Sequence, residues 1–202
     1  MKNKHLHVYM LLFLNAILLA IAIYAYLANF NSTTKASRTH EANMRRLNYK
    51  NQMMWFHLIT ENTKLNSKTD VINENFDTIP LSDLISRPVI VLRYSELNCQ
   101  SCVDELIVRF QNTKSLDSAN TVLLSWYNNP THLYQFKRMN RLQYPVFSIK
   151  NTGLPPDTLN VPYLFLLDQS LKVSNVFIPE EGDIASLTQF LSFASQKLDK
   201  HR

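Results

Sequence analysis

Apolar residues run almost unbroken over residues 8–30, opening at Val8 and closing at Phe30, with Asn15 and Asn29 the main polar interruptions. That length meets the roughly 20 residues a helix needs to cross a bilayer and exceeds the roughly 7 to 15 apolar residues of a signal-peptide core. Tyr26 is too bulky for the position three before a cut after Ala28, so an uncleaved anchor lying in the lipid bilayer is expected. Lys2 and Lys4 on one side nearly balance Lys35, Arg38, Arg45 and Arg46 on the other, which leaves orientation undecided by charge. Residues 31–38 are polar and read as a tether. Beyond them Met44, Leu47, Asn51, Met54 and Leu58 recur in alternating steps of three and four, with Trp55 and Ile59 beside them. Two readings fit: one amphipathic helix lying on the domain or the membrane, or a short parallel coiled coil with Asn51 setting the register of a weak homodimer.

From Leu65 the periodicity changes. Residues 76–84 read as an edge strand broken by Pro80 and a helical turn capped by Ser82. Val89 to Tyr94 is a near-continuous apolar strand broken only by Arg93, and Val103, Leu106, Ile107 and Phe110 place a helix over about 99–111. Thr121 to Trp126 is a second apolar strand. Asn128, Asn129 and Pro130 open a helix carrying Leu133, Phe136 and Met139. Strands follow at 144–149, 164–167 and 173–178, with a loop at 151–160, and Asp183 caps a last helix bearing Ile184, Leu187, Leu191, Ala194 and Leu198. The order predicts an α/β domain: a central mixed β-sheet flanked by helices on both sides, its last two strands paired as a hairpin. The expected organisation is an anchor over 1–30, a linker with an amphipathic helix over 31–64 and a globular domain over 65–202.

Composition narrows the function. Only two glycines occur in 202 residues, so asparagine and aspartate are expected to make most turns. The net charge of +5 is scattered rather than gathered in a basic stripe, which argues against nucleic-acid binding. Both cysteines stand in one motif, Cys99-Gln100-Ser101-Cys102, and no second Cys/His pair at zinc-finger spacing exists, so neither a metal nor a cofactor is expected. A strand that turns into a helix through this spacing puts Cys99 at a helix N-terminus, where free N–H groups and the macrodipole favour thiolate. The second sulfur can close a small ring, which suits reversible exchange. Trp126 and Tyr127 end a strand and either line a groove beside Cys99 or join the core.

The run Leu81 to Leu84, Arg87-Pro88, the strand from Val89, the C-x-x-C with Glu105 three residues on, and Val161-Pro162-Tyr163 before a strand ending in Asp168 together resemble the thioredoxin-like fold. More narrowly, they resemble the membrane-anchored thioredoxin-like proteins of bacterial cell envelopes, which include cytochrome-maturation and resistance-type reductases. The resemblance implies a thiol-disulfide oxidoreductase, in the reducing direction, acting on a disulfide-containing or dithiol protein, with a membrane electron donor possible. It implies a single-pass protein of the inner membrane whose C-terminal domain faces the periplasm. Cys99 would be the exposed attacking thiolate and Cys102 the buried resolving thiol. Pro162, if its bond to Val161 is cis, would sit against the sulfurs, and the Val161 backbone would pair with substrate.

Departures from that family matter. Asn98 stands where a tryptophan usually precedes the first cysteine, and Gln-Ser replaces Gly-Pro or Pro-Pro. Arg93 falls where many thioredoxins bury an acid. Facing the sulfurs, it would stabilise thiolate and make the disulfide more oxidising, with Glu96 or Glu105 as alternative partners for its charge; pointing outward, it would do neither. Two other functions remain to be weighed. A peroxidase of the peroxiredoxin type needs Pro-x-x-x-Thr/Ser-x-x-Cys, and here Ser95 is four before Cys99 with no matching proline. A binding scaffold would leave the two cysteines locked or idle.

Overall fold

The computed structural model describes residues 2–180 and 182–200, with side chains from residue 14 onward except at 31, 32 and 181. Two compact units divide the chain, Met1–Gln52 and Met53–Arg202. From residue 2 to residue 60 there is neither glycine nor proline, and the whole stretch is one helix, α1 (Lys2–Thr60). Residues 31–38, expected as a tether, continue that helix. Thr33, Thr34 and Thr39 donate their hydroxyls back to the carbonyls of Asn29, Phe30 and Lys35 at 3.1, 2.8 and 3.0 Å, so these polar side chains are satisfied within the helix. The helix is long and apolar enough to cross a membrane or serve as a signal sequence, and its large apolar side chains between Leu14 and Phe30 are uncovered.

The second unit begins inside α1. Met53 and Phe56 pack against the sheet, Thr60 is buried, and His57 Nδ1 lies 2.8 Å from the carbonyl oxygen of Val176. Met44, Leu47, Met54, Trp55, Leu58 and Ile59 are all exposed, so the face that docks is not the stripe the sequence marked. After α1 come β1 (Asp70–Ile72), β2 (Thr78–Pro80), α2 (Leu81–Leu84), β3 (Val89–Ser95), α3 (Gln100–Asn112), β4 (Thr121–Trp126) and α4 (Pro130–Met139). Then follow β5 (Val146–Ser148), a 3-10 turn (Pro155–Leu159), β6 (Tyr163–Leu167), β7 (Val173–Phe177) and α5 (Ile184–Asp199).

The seven strands lie in the order β2-β1-β5-β4-β3-β6-β7, with β3, β4 and β5 parallel and the rest antiparallel. Asn129 and Asp183 cap α4 and α5 as expected, accepting from the N–H of Thr131 and Ser186. Ser82 does not cap α2: its hydroxyl turns to Asp83, and Pro80 holds the cap position with no side-chain bond.

Alternation along β3 divides the core. Ile90, Leu92 and Tyr94 face the apolar sides of α3, α4 and α5. Val89 and Val91 face the other way, into a cluster closed by α2, the end of α1 and the loop residues Leu154 and Leu159. The long helices therefore share one face, because β3-α3-β4 and β4-α4-β5 step across the sheet in one direction and right-handed crossovers put both helices on the same side. Both described glycines, Gly153 and Gly182, and three asparagines, Asn62, Asn160 and Asn175, have positive φ, so asparagine does take up turn duty in a chain short of glycine.

Asp168 closes the β6-β7 hairpin. Its Oδ1 accepts from the N–H and hydroxyl of Ser170 at 2.8 and 2.7 Å and from the N–H of Lys172 at 3.0 Å. Desolvation raises its pKa, but these hydrogen bonds and the Lys172 charge outweigh that and hold it below the ordinary 3.8. A depressed folded pKa stabilises above the unfolded value, and that contribution is lost as pH falls through the folded one. Asp168→Ala is therefore expected to cost about 1 kcal/mol in urea unfolding at pH 7. The difference from the parent chain should shrink as the pH is taken below 3.8.

Candidate active site

Strand β3 delivers the two cysteines through a short braced turn. Asn98 Oδ1 accepts from Ser95 N at 2.7 Å, and Asn98 N donates to Ser95 O at 3.1 Å, so the residue in the tryptophan position holds the turn together. Glu96 N extends the ladder to Trp126 O at 2.9 Å, and Glu96 Oε1 accepts from Asn128 N at 3.0 Å. Cys99 is then the N-cap of α3, its sulfur accepting from Cys102 N at 3.4 Å and lying 3.1 Å from Ser101 Oγ. Cys99 and Cys102 form a disulfide with their Cα atoms 5.2 Å apart. Cys99 is exposed and Cys102 half-buried. Two donors thus converge on Cys99 Sγ, the arrangement that stabilises a thiolate once the bond is reduced.

Arg93 is 5% exposed and points to the face opposite Ile90, Leu92 and Tyr94. Its charge goes neither to Glu96 nor to Glu105. The partner is Asp157 in the 3-10 turn, with Nε to Oδ1 at 3.1 Å. Nη1 donates to Tyr94 O at 2.6 Å and Nη2 to Lys150 O at 3.1 Å. Tyr163, directly across the ladder from Arg93, donates its hydroxyl to the same carboxylate at 2.9 Å. Thr152 supplies both its N–H and its hydroxyl to Asp157 Oδ2, each at 2.7 Å. Burial, and next the Asp157 charge, push the Tyr163 phenol well above its ordinary pKa, so it remains a donor. Glu105 lies on α3 beyond Cys102, away from this cluster.

Above the cluster sits a cavity of about 100 Å³ lined by Leu97 and Asn98 from the turn before Cys99, Trp126, Lys150, Asp157 and Val161 among others. Val161 and the turn leading to Cys99 thus meet across one opening. Trp126 lines that opening, whereas Tyr127 packs with Tyr94 and Phe136 in the core. The bond from Val161 to Pro162 is trans, not cis. The chain is reversed one residue earlier, by Asn160 at φ 51° and ψ 37°, and Pro162 is buried at the entry to β6.

No protein-family model and no curated protein matches the sequence. Among solved structures, an Aquifex aeolicus protein described as an electron transfer protein superimposes with a TM-score of 0.50 at 9% identity, over 66% of this chain and 94% of that one. The chain has a thioredoxin-like fold. A thioredoxin-like protein from Porphyromonas gingivalis aligns at TM-score 0.47 and 18% identity, covering 68% of this chain and 95% of its own. A thiol:disulfide interchange protein from Bacteroides sp. aligns at 0.48 and 10%, covering 67% and 89%.

Arg93 and Asp157 form a satisfied, nearly buried ion pair. Removing one member leaves a desolvated charge, whereas replacing both with apolar groups does not. Asp157→Ala should therefore lower stability in urea unfolding by about 3 to 5 kcal/mol, and the double variant Arg93→Met with Asp157→Leu by clearly less than the single one.

Proposed function

We propose that this protein is a membrane-tethered thiol-disulfide oxidoreductase that works as a reductase on the disulfides of partner proteins. The observation that carries the reading is Cys99: its sulfur is exposed, caps α3, and is bonded to the only other cysteine three residues on. In the reduced protein the Cys99 thiolate attacks one sulfur of the partner's disulfide; a mixed disulfide forms and the other partner sulfur leaves as thiolate. Cys102, as thiolate, then attacks Cys99 Sγ, releases the second partner thiolate and closes the Cys99–Cys102 bond. Two electrons pass to the partner, and a separate dithiol or membrane electron donor must restore the pair. In this reading the Cys99–Cys102 disulfide is the end state of that turnover.

The reducing direction is consistent with the fate of Arg93. A free guanidinium beside the sulfurs would have favoured an oxidising couple, but its charge is met by Asp157. The Val161 backbone, ahead of the first β6 residue paired to β3, is offered to an extended segment of the partner. In this reading α1 anchors the chain in a bacterial inner membrane with the unit from Met53 onward in the periplasm.

The test is the reduction potential of the pair, by equilibration against glutathione and dithiothreitol buffers. A reversible couple between about -120 and -270 mV, towards the more negative end, is expected for an exchanging reductase. Cys102→Ser should trap a mixed disulfide with the partner and Cys99→Ser should abolish exchange. A pair that stays oxidised below about -300 mV would overturn the proposal in favour of a binding scaffold.

A further inference from the structure

The cavity lined by Leu97 and Asn98, the turn that leads into Cys99, has a distinctive polarity. Asn98 Oδ1 is occupied by Ser95 N–H and Asn151 Oδ1 by Gly153 N–H at 2.6 Å, which fixes both amides with their NH₂ groups away from those bonds. The carboxylate in the wall, Asp157, is already saturated by Arg93, Tyr163 and Thr152. Lys150 is exposed, its ammonium 5.9 Å from the centre of the Trp126 ring and in no ion pair among the described residues. The opening therefore presents amide donors, one cation and an aromatic face, and the one carboxylate in its wall is already engaged.

From this, and resting on the thiol-disulfide exchange proposed above, we propose that the cavity receives a carboxylate carried next to the reacting sulfur of the partner, an acidic side chain flanking its cysteine. Lys150 is the specificity-determining residue. The carboxylate meets the Lys150 ammonium and the amide of Asn98 or Asn151 while the neighbouring sulfur reaches Cys99, one residue beyond Asn98. Specificity of this kind acts mainly on encounter and orientation, so it is read as a ratio of rates rather than as a change in the sulfur chemistry.

The experiment uses the full oxidised chain and three monothiols: 3-mercaptopropionate, 2-mercaptoethanol and cysteamine, which are anionic, neutral and cationic. One thiolate opens the Cys99–Cys102 bond, forming a mixed disulfide as Cys102 leaves; a second thiolate releases Cys99 and departs as the symmetrical disulfide. With each rate normalised to thiolate concentration and divided by the same thiol's rate on a small uncharged disulfide, which removes differences in intrinsic nucleophilicity, the anionic thiol should outpace the cationic one about fivefold. Lys150→Glu should bring that ratio to about one or below, whereas Lys114→Glu, the same charge change on a lysine outside the cavity, should leave it in place. Peptide mixed disulfides with Glu or Lys beside the cysteine extend the comparison: preference for Glu supports a protein-borne carboxylate, and preference confined to mercaptopropionate would replace the acidic segment with a small thiol acid. Equal rates for all charges, or an equal loss of the ratio in Lys114→Glu, would overturn the carboxylate site while leaving exchange intact. Failure of every thiol, dithiothreitol included, to open the bond would instead remove the exchange reading itself.

Discussion

A guanidinium with almost no solvent access is the constraint around which this domain is built. Arginine cannot shed its charge, so burying Arg93 in the middle of a sheet is tolerable only if a carboxylate and enough carbonyls reach it. The chain answers with the segment that also sends Leu154 and Leu159 into the apolar cluster. Residues 150–160 cross the face opposite α3; Lys150 gives its carbonyl, Asp157 gives its carboxylate, and Thr152 and Tyr163 fill the carboxylate's remaining lone pairs. The left-handed turn at Asn160 then returns the chain to β6. Held by the charge cluster and by Leu154, the segment forms a wall.

That wall and the turn before Cys99 face each other, and their chemistry is complementary in an instructive way. The Asp157 carboxylate is consumed internally by Arg93, Tyr163 and Thr152, so the charge left facing the opening is the Lys150 ammonium. The cysteine turn is stiffened by Asn98 rather than by packing of a large ring, which keeps the opening wide and leaves Leu97, 69% exposed, at its lip. In the exchange proposed above, the sulfur chemistry draws on the α3 N-terminus, and the surroundings would select which partner presents a disulfide there.

Where local chemistry decides structure, the sequence was readable. The β4 strand over 121–126, the caps at Asn129 and Asp183, and the C-x-x-C at a helix start depend on neighbours within a few residues, and the structure has them where the pattern put them. β1 is three residues long and exists through its pairing with β2 and β5, so no periodicity announces it. The polar stretch 31–38 was misread because polarity suggested a tether, while the absence of glycine and proline lets a helix pass through. Asp157 was invisible for a different reason. It stands 64 residues from Arg93, in a run that reads as an ordinary proline-rich loop, and only the folded sheet brings the two charges together.

The separation of tasks between the two faces rests on one parity. In β3 the even positions 90, 92 and 94 serve the helix-covered face and the odd positions 89, 91 and 93 serve the other. The helix-covered face anchors α3 through Val103, Leu106, Ile107 and Phe110, and so sets the position of the sulfurs. The opposite face carries Arg93 and so sets the wall. A slip of one residue in β3 would drive the guanidinium into the apolar cluster under α3 and turn Tyr94 toward Asp157, and both faces would fail together. The charge that appears out of place in an apolar strand therefore also fixes its register: in one register the arginine finds its carboxylate, and in the neighbouring one it is buried without a partner.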